Sequence, residues 1–158
     1  MMNKLIAFLA FFLLCAPVTA DEAFWVLREE PLKESSWTAY VPAKSELAKQ
    51  AVLVHAVLPG EDPVVVRHVL SEMYRQVESL KVLGRKSVPW RDGEGTLVSF
   101  SGKNGKNKIV GRAVIAPTES GTEVFMLVRH PRSDARIEKS FEEVRLSAAD
   151  FLKTKTAK

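Results

Sequence analysis

Apolar positions along this chain change their period several times, and each change marks an element. Leu5 to Leu14 is an uninterrupted apolar run behind a single basic residue, Lys4, and it is followed by Val18-Thr19-Ala20 before acidic Asp21. A short positive start, an apolar stretch of that length and small residues before a polar turn read as a secretory signal peptide. The run is too short to cross a hydrocarbon core of about 30 Å as a helix, which takes roughly 20 apolar residues. The sequence therefore predicts residues 1–20 as the signal, cleavage near Ala20, and a periplasmic or secreted mature chain.

Aromatic and β-branched residues dominate Phe24 to Leu27 and Trp37 to Val41, with Pro31 and polar residues between them, which predicts two short strands. Gln50 to Leu58 fits two periods. Leu47, Ala51, Val54 and Leu58 recur at helical spacing, while Ala51 to Leu58 is also a dense apolar run. A buried strand over Val52 to Leu58, closed by Pro59-Gly60, is the favoured reading, with a helix as the alternative, because period alone does not separate them. Next, Asp62 supplies an N-cap oxygen and Pro63 a preset φ for the first helical turn. Val66, Val69, Leu70, Met73, Val77 and Leu80 form an apolar stripe opposite Arg67, Glu72, Arg75 and Glu78, and Gly84 offers a left-handed stop, so a helix is predicted here.

Three strands follow in hairpin order, Thr96 to Phe100, Lys108 to Ile115 and Glu123 to Arg129, joined by Lys103-Asn104-Gly105-Lys106 and by Glu119-Ser120-Gly121. Asn-Gly suits a type I′ turn, whose positive φ values both residues tolerate, so these strands are predicted to be antiparallel neighbours. After Pro131, Ser133 can cap a last helix with Ile137, Phe141, Val144, Ala148 and Phe151 along one side. Together the elements predict an α+β fold, an antiparallel sheet covered by two amphipathic helices, with residues 21–152 as one domain and 153–158 as a frayed basic tail.

Composition narrows the chemistry. The only cysteine, Cys15, falls inside the signal, and Leu14 before it is too large for lipoprotein processing, so neither disulfides nor lipid attachment are expected. Without Lys4 the 23 basic residues become 22 against 19 acidic ones, a net of +3. That mild excess is local. Lys81, Arg85, Lys86, Arg91, Lys103, Lys106, Lys108 and Arg112 are offset within their stretch only by Asp92 and Glu94, and if they share a face it attracts anions.

No Gly-x-Ser-x-Gly turn presents a nucleophile, and the histidines, His55, His68 and His130, lie too far apart for a helical metal pair. His55, in an apolar run, reads as a satisfied core histidine; His68 reads as solvated and His130 as the end of a strand. Gly102-Lys103-Asn104-Gly105-Lys106 lacks the spacing and the following helix of a phosphate loop. Glu142-Glu143 reads as a solvated helix surface, and Trp25, Trp37 and Trp90 as core. Nucleic-acid binding is disfavoured, because Trp90 is the only aromatic between Lys81 and Phe100 and the chain is exported. No catalytic residue, metal site or cofactor is therefore expected. Lys103, Lys106, Lys108 and Arg112, near one hairpin, form a candidate patch for an anion or a partner.

The order of elements carries a family likeness. Early strands, a helix, an antiparallel run preceded by Gly95 and turning at Asn104-Gly105, Phe125-Met126-Leu127 as a third strand, and a closing helix with Phe141-Glu142-Glu143-Val144-Arg145-Leu146-Ser147 resemble the PsbP/DcrB-like family over roughly Trp37 to Ser147. The resemblance implies an α/β/α sandwich acting as a non-enzymatic module, with no shared catalytic residues to carry over. The lipid-anchored members differ from this chain in their lipidation signal. On these grounds the expected role is an exported accessory domain that binds another envelope or secreted protein. An anion or phospholipid-headgroup binder at an anionic membrane surface, or an enzyme with a site assembled from scattered residues, are the alternatives.

Overall fold

The computed structural model describes residues 23–28, 37–60 and 77–156. Strands β1 (Trp25–Leu27), β2 (Trp37–Pro42) and β3 (Ala51–Leu58) form a meander, with a short helix α1 (Ser45–Ala48) before β3. Strands β4 (Glu78–Trp90), β5 (Gly93–Asn104), β6 (Asn107–Thr118) and β7 (Gly121–Arg129) follow, and then helices α2 (Ala135–Leu146) and α3 (Ala148–Thr156). The seven strands make one sheet in the order β1-β2-β3-β7-β6-β5-β4, with every neighbouring pair antiparallel. After β3 the chain re-enters the sheet at its far edge as β4. It then returns strand by strand until β7 pairs with β3, placing Leu53 opposite Leu127 and His55 opposite Phe125.

The architecture is thus α+β on an antiparallel sheet, and the strand reading of Val52 to Leu58 holds over the helical alternative. Alternation along the strands gives the sheet two apolar faces. One carries Ala39, Val52, Val54, Val98, Phe100, Ala113, Ile115, Val124 and Met126. The other carries Trp25, Tyr40, Leu53, Trp90, Leu97, Val114, Phe125 and Leu127, and packs against Ile137 and Phe141 of α2 and Ala148 of α3. Phe141 stacks on Phe125 with ring centroids 5.8 Å apart, and Phe151 meets Tyr40 edge-on at 5.2 Å. The helical stripe predicted for the C-terminal segment is therefore the surface that docks.

Four expectations change. The helix predicted to run to Gly84 is a strand over its last part, since Glu78 onward is β4 and Val77 and Leu80 enter the first apolar face. The interval of three between those two residues imitates a helical period because the ladder slips between Glu78 and Lys81, where Ser79 takes φ 54°. Gly84 lies at a second slip of the same strand, not at a helix stop. The rest of that stripe, with Asp62, Pro63 and His68, lies outside the described residues, as does the signal segment. The last helix is two helices, capped by Asp134 rather than Ser133 and interrupted at Ser147, whose hydroxyl donates to the Glu143 carbonyl. It continues to Thr156, into the stretch read as a frayed tail. Finally, the β5–β6 tip is Gly105-Lys106, closed by Asn104 opposite Asn107, and only Gly105 has positive φ, 57°. A positive φ at the first central residue alone is a type II′ turn, not the type I′ turn that Asn-Gly suggested.

Candidate functional site

Among the described residues, two groups of charges are paired within the fold, and a third, mostly basic, lies open at the corner formed by β4, β5 and β6. The innermost is Glu123, whose side chain is 1% exposed. Its position follows from β7, which pairs on both sides with apolar strands and so holds Glu123 beneath the helix-side surface, one step along that face from Phe125. Four donors reach the carboxylate. His55 Nε2 lies 2.7 Å from Oε1, Arg91 Nη2 donates to Oε1 at 2.6 Å and Nε to Oε2 at 2.8 Å, and Trp90 Nε1 donates to Oε2 at 2.8 Å.

Trp90 and Arg91 come from the end of β4 and the turn into β5 at the sheet edge, with β5 and β6 standing between β4 and β7. The helix-side surface between them is low: Gly95 on β5 has no side chain, and a Cβ there would stand 2.9 Å from Val114 Cγ1 and 3.2 Å from the Ala116 methyl. Across this shallow strip Trp90 reaches the Phe125 ring, 5.3 Å between centroids. Arg91 itself takes φ 50°, a left-handed conformation that costs a residue with a Cβ about 1–2 kcal/mol. Its two-pronged contact with Glu123 offsets that strain.

Burial pushes the Glu123 carboxyl pKa upward, but hydrogen bonds from His55, Arg91 and Trp90 and the Arg91 charge outweigh it and bring it from 4.5 down to about 2. Glu123 is therefore an anion at neutral pH. Because an ionised carboxylate only accepts, the proton between it and His55 sits on Nε2. Arg91 is pushed above its usual range, chiefly by the Glu123 hydrogen bonds. Both carboxylate oxygens are saturated and a guanidinium occupies the place a cation would take, so these groups act as a clamp that pins the β4–β5 tip to the sheet centre. His55 is the satisfied core histidine the sequence suggested, 18% exposed, now with its partner identified.

A second locked group joins α2 to the sheet. Arg112 on β6 pairs with Glu138 at 2.7 Å and with Glu142, and its guanidinium lies 5.7 Å from the centre of the Phe141 ring. Arg129 on β7 reaches Glu138 at 2.7 Å, and Arg145 reaches Glu142 at 2.7 Å and the Pro89 carbonyl. Burial raises the Glu142 carboxyl, but Arg145 and Arg112 together hold it below its ordinary range. Glu142, read as a solvated surface residue, is thus half-buried and engaged. His130 follows the end of β7, as expected, and its Nδ1 accepts from the Arg132 backbone.

The basic run of residues 81–112 is divided between these settings. Arg91 and Arg112 turn inward and are paired. Lys81, Arg85, Lys86, Lys103, Lys106 and Lys108 are exposed and, among the described residues, have no ion-pair partner. Of the candidate patch, Lys103 and Lys108 stand directly opposite each other across β5 and β6, Lys106 sits at the tip, and Arg112 is withdrawn beneath α2. Lys81, opposite Ser101, joins Lys103 and Lys108 on the helix-side face.

No family model matches the chain, and no curated protein matches it. Among solved structures it is similar to PA94, a protein of unknown function from Pseudomonas aeruginosa, with a TM-score of 0.54 and 12% identity. The alignment covers 77% of this chain and 94% of that one. At such identity the likeness is one of fold.

Proposed function

We propose that this chain is an exported, non-enzymatic binding domain of the PsbP/DcrB-like α/β/α type, which engages a protein of the envelope or the secreted space. The observation that carries this reading is the partition of charge. Glu123, Arg91, Arg112, Arg129, Arg145, Glu138 and Glu142 satisfy one another inside the fold. Six cations of β4, β5 and β6 and the turn between β5 and β6, Lys81, Arg85, Lys86, Lys103, Lys106 and Lys108, instead face solvent with no ion-pair partner among the described residues; Lys44, Lys49 and Arg132 do so singly elsewhere. The charges that stabilise the fold are paired, and those six solvent-facing cations remain free for a partner. The apolar start of the chain supports export, and the antiparallel run β5-β6-β7 followed by α2 supports the kinship.

The test is capture. The full chain, expressed in a Gram-negative host and cross-linked in intact cells, is expected to be recovered from the periplasm starting at Asp21, repeatedly joined to the same protein, which rebinds it when purified. Recovery from the cytoplasm with residues 1–20 still attached, or the absence of any reproducible adduct together with turnover of a small substrate, overturns the proposal.

A further inference from the structure

Lys103 and Lys108 are cross-strand partners on the helix-side face of the β5–β6 hairpin. Directly opposed residues have Cβ atoms about 4.5–5.5 Å apart, and like charges placed so destabilise a sheet. An acidic residue at either position would turn that penalty into a gain. Glu78 is opposite Lys103 on the other side, but no ion pair joins them. Lys81 is one diagonal step away, opposite Ser101, so three ammonium groups overlook a floor that includes Ser99 and Ser101. Beside this floor β4 is the outermost strand, with Lys86 on the same face, Arg85 on the other, and Leu83, 63% exposed, at the slip between Val82 and Gly84.

The shape favours a narrow ligand over a plane. The tip, Asn104-Gly105-Lys106-Asn107, has no apolar side chain to enter a bilayer, and the cations spread over a face and an edge instead of projecting together. An outermost strand offers backbone groups to an extended chain, although the two slips and Pro89 leave only a short regular stretch, so charge supplies most of the attraction. Resting on the binding-domain reading, we infer that this corner seats an extended acidic protein segment. Its carboxylates lie between Lys81, Lys103 and Lys108, and one apolar residue rests on Leu83.

The experiment is fluorescence anisotropy of a fluorescein-labelled peptide of glutamates and serines around one leucine, titrated with the full chain. Saturable binding is expected, weakening roughly tenfold between low and high salt as the charges are screened. The Lys103→Glu/Lys108→Glu variant should lose at least tenfold in affinity, and Leu83→Ser several-fold, each with an unchanged melting temperature. Lys103→Gln/Lys108→Gln serves as the milder variant should the reversal disturb folding, and should bind more weakly than the parent. Equal binding by parent and charge variants, no binding by the parent, or tighter retention of the chain on phosphatidylglycerol vesicles than on the peptide overturns the inference. If the charge-reversed chain still captures the same envelope protein as the parent, the inference falls while the binding-domain reading stands.

Discussion

Replacing Glu123 with glutamine removes the charge from a carboxylate that is only 1% exposed while keeping its size. Glutamine offers one oxygen where Glu123 offers two, so its amide faces donors from Trp90 or Arg91 that can no longer be accepted. Breaking a buried pair from one side costs about 3–5 kcal/mol; Arg91, 35% exposed, keeps some access to water, which places the cost near the lower figure. A second route gives the same size. A carboxylate held at about 2 rather than 4.5 contributes about 3 kcal/mol when ionised. Because the folded-state value is the lower one, that contribution is complete above the unfolded value and is lost as pH falls from 4.5 toward about 2. Urea unfolding should therefore show Glu123→Gln less stable than the parent by about 3 kcal/mol near neutrality, with the gap closing in acid as the parent loses what the variant never had. A gap below about 1 kcal/mol at neutral pH, or one that stays constant down to the acid limb, would refute the clamp.

Phe141→Ala should cost about 3–5 kcal/mol by thermal or urea melting, because it empties the space between Phe125 and the Arg112 guanidinium. Arg91→Gly releases the strain at φ 50° and loses the clamp together; in that background Glu123→Gln should cost about 1–3 kcal/mol less than in the parent, read as the coupling in a double-mutant cycle. Gly95→Val should destabilise by about 1–3 kcal/mol, since its side chain enters space already taken by Val114 and Ala116, and the loss should appear with blue-shifted or red-shifted Trp90 fluorescence as the indole is displaced.

Local patterns were the legible part of the fold. β5, β6 and β7 could be read because turn residues and dense apolar runs lie within one hairpin of each other, and the docking side of α2 because Ile137, Phe141 and Val144 recur at helical spacing. β4 could not, since its two slips break the alternation that identifies a strand and leave Val77 and Leu80 at a helical interval. The clamp was hidden for another reason. His55, Trp90 and Arg91 lie 68, 33 and 32 residues from Glu123, and they meet only because β3 and β7 pair and the β4–β5 tip crosses the strip above Gly95. A lone glutamate among β-branched residues was the available sign. Arg112 was grouped with the hairpin lysines because sequence distance does not reveal which side of a strand is covered by a helix carrying Glu138 and Glu142.

Stability and capture, measured side by side on two variants, test the division of labour most directly. Glu123→Gln should melt well below the parent and, assayed while still folded, retain the envelope partner; Lys103→Glu/Lys108→Glu should melt with the parent and lose it. Loss of stability without loss of capture in the lysine variant, or loss of capture by the folded glutamine variant, would contradict the account.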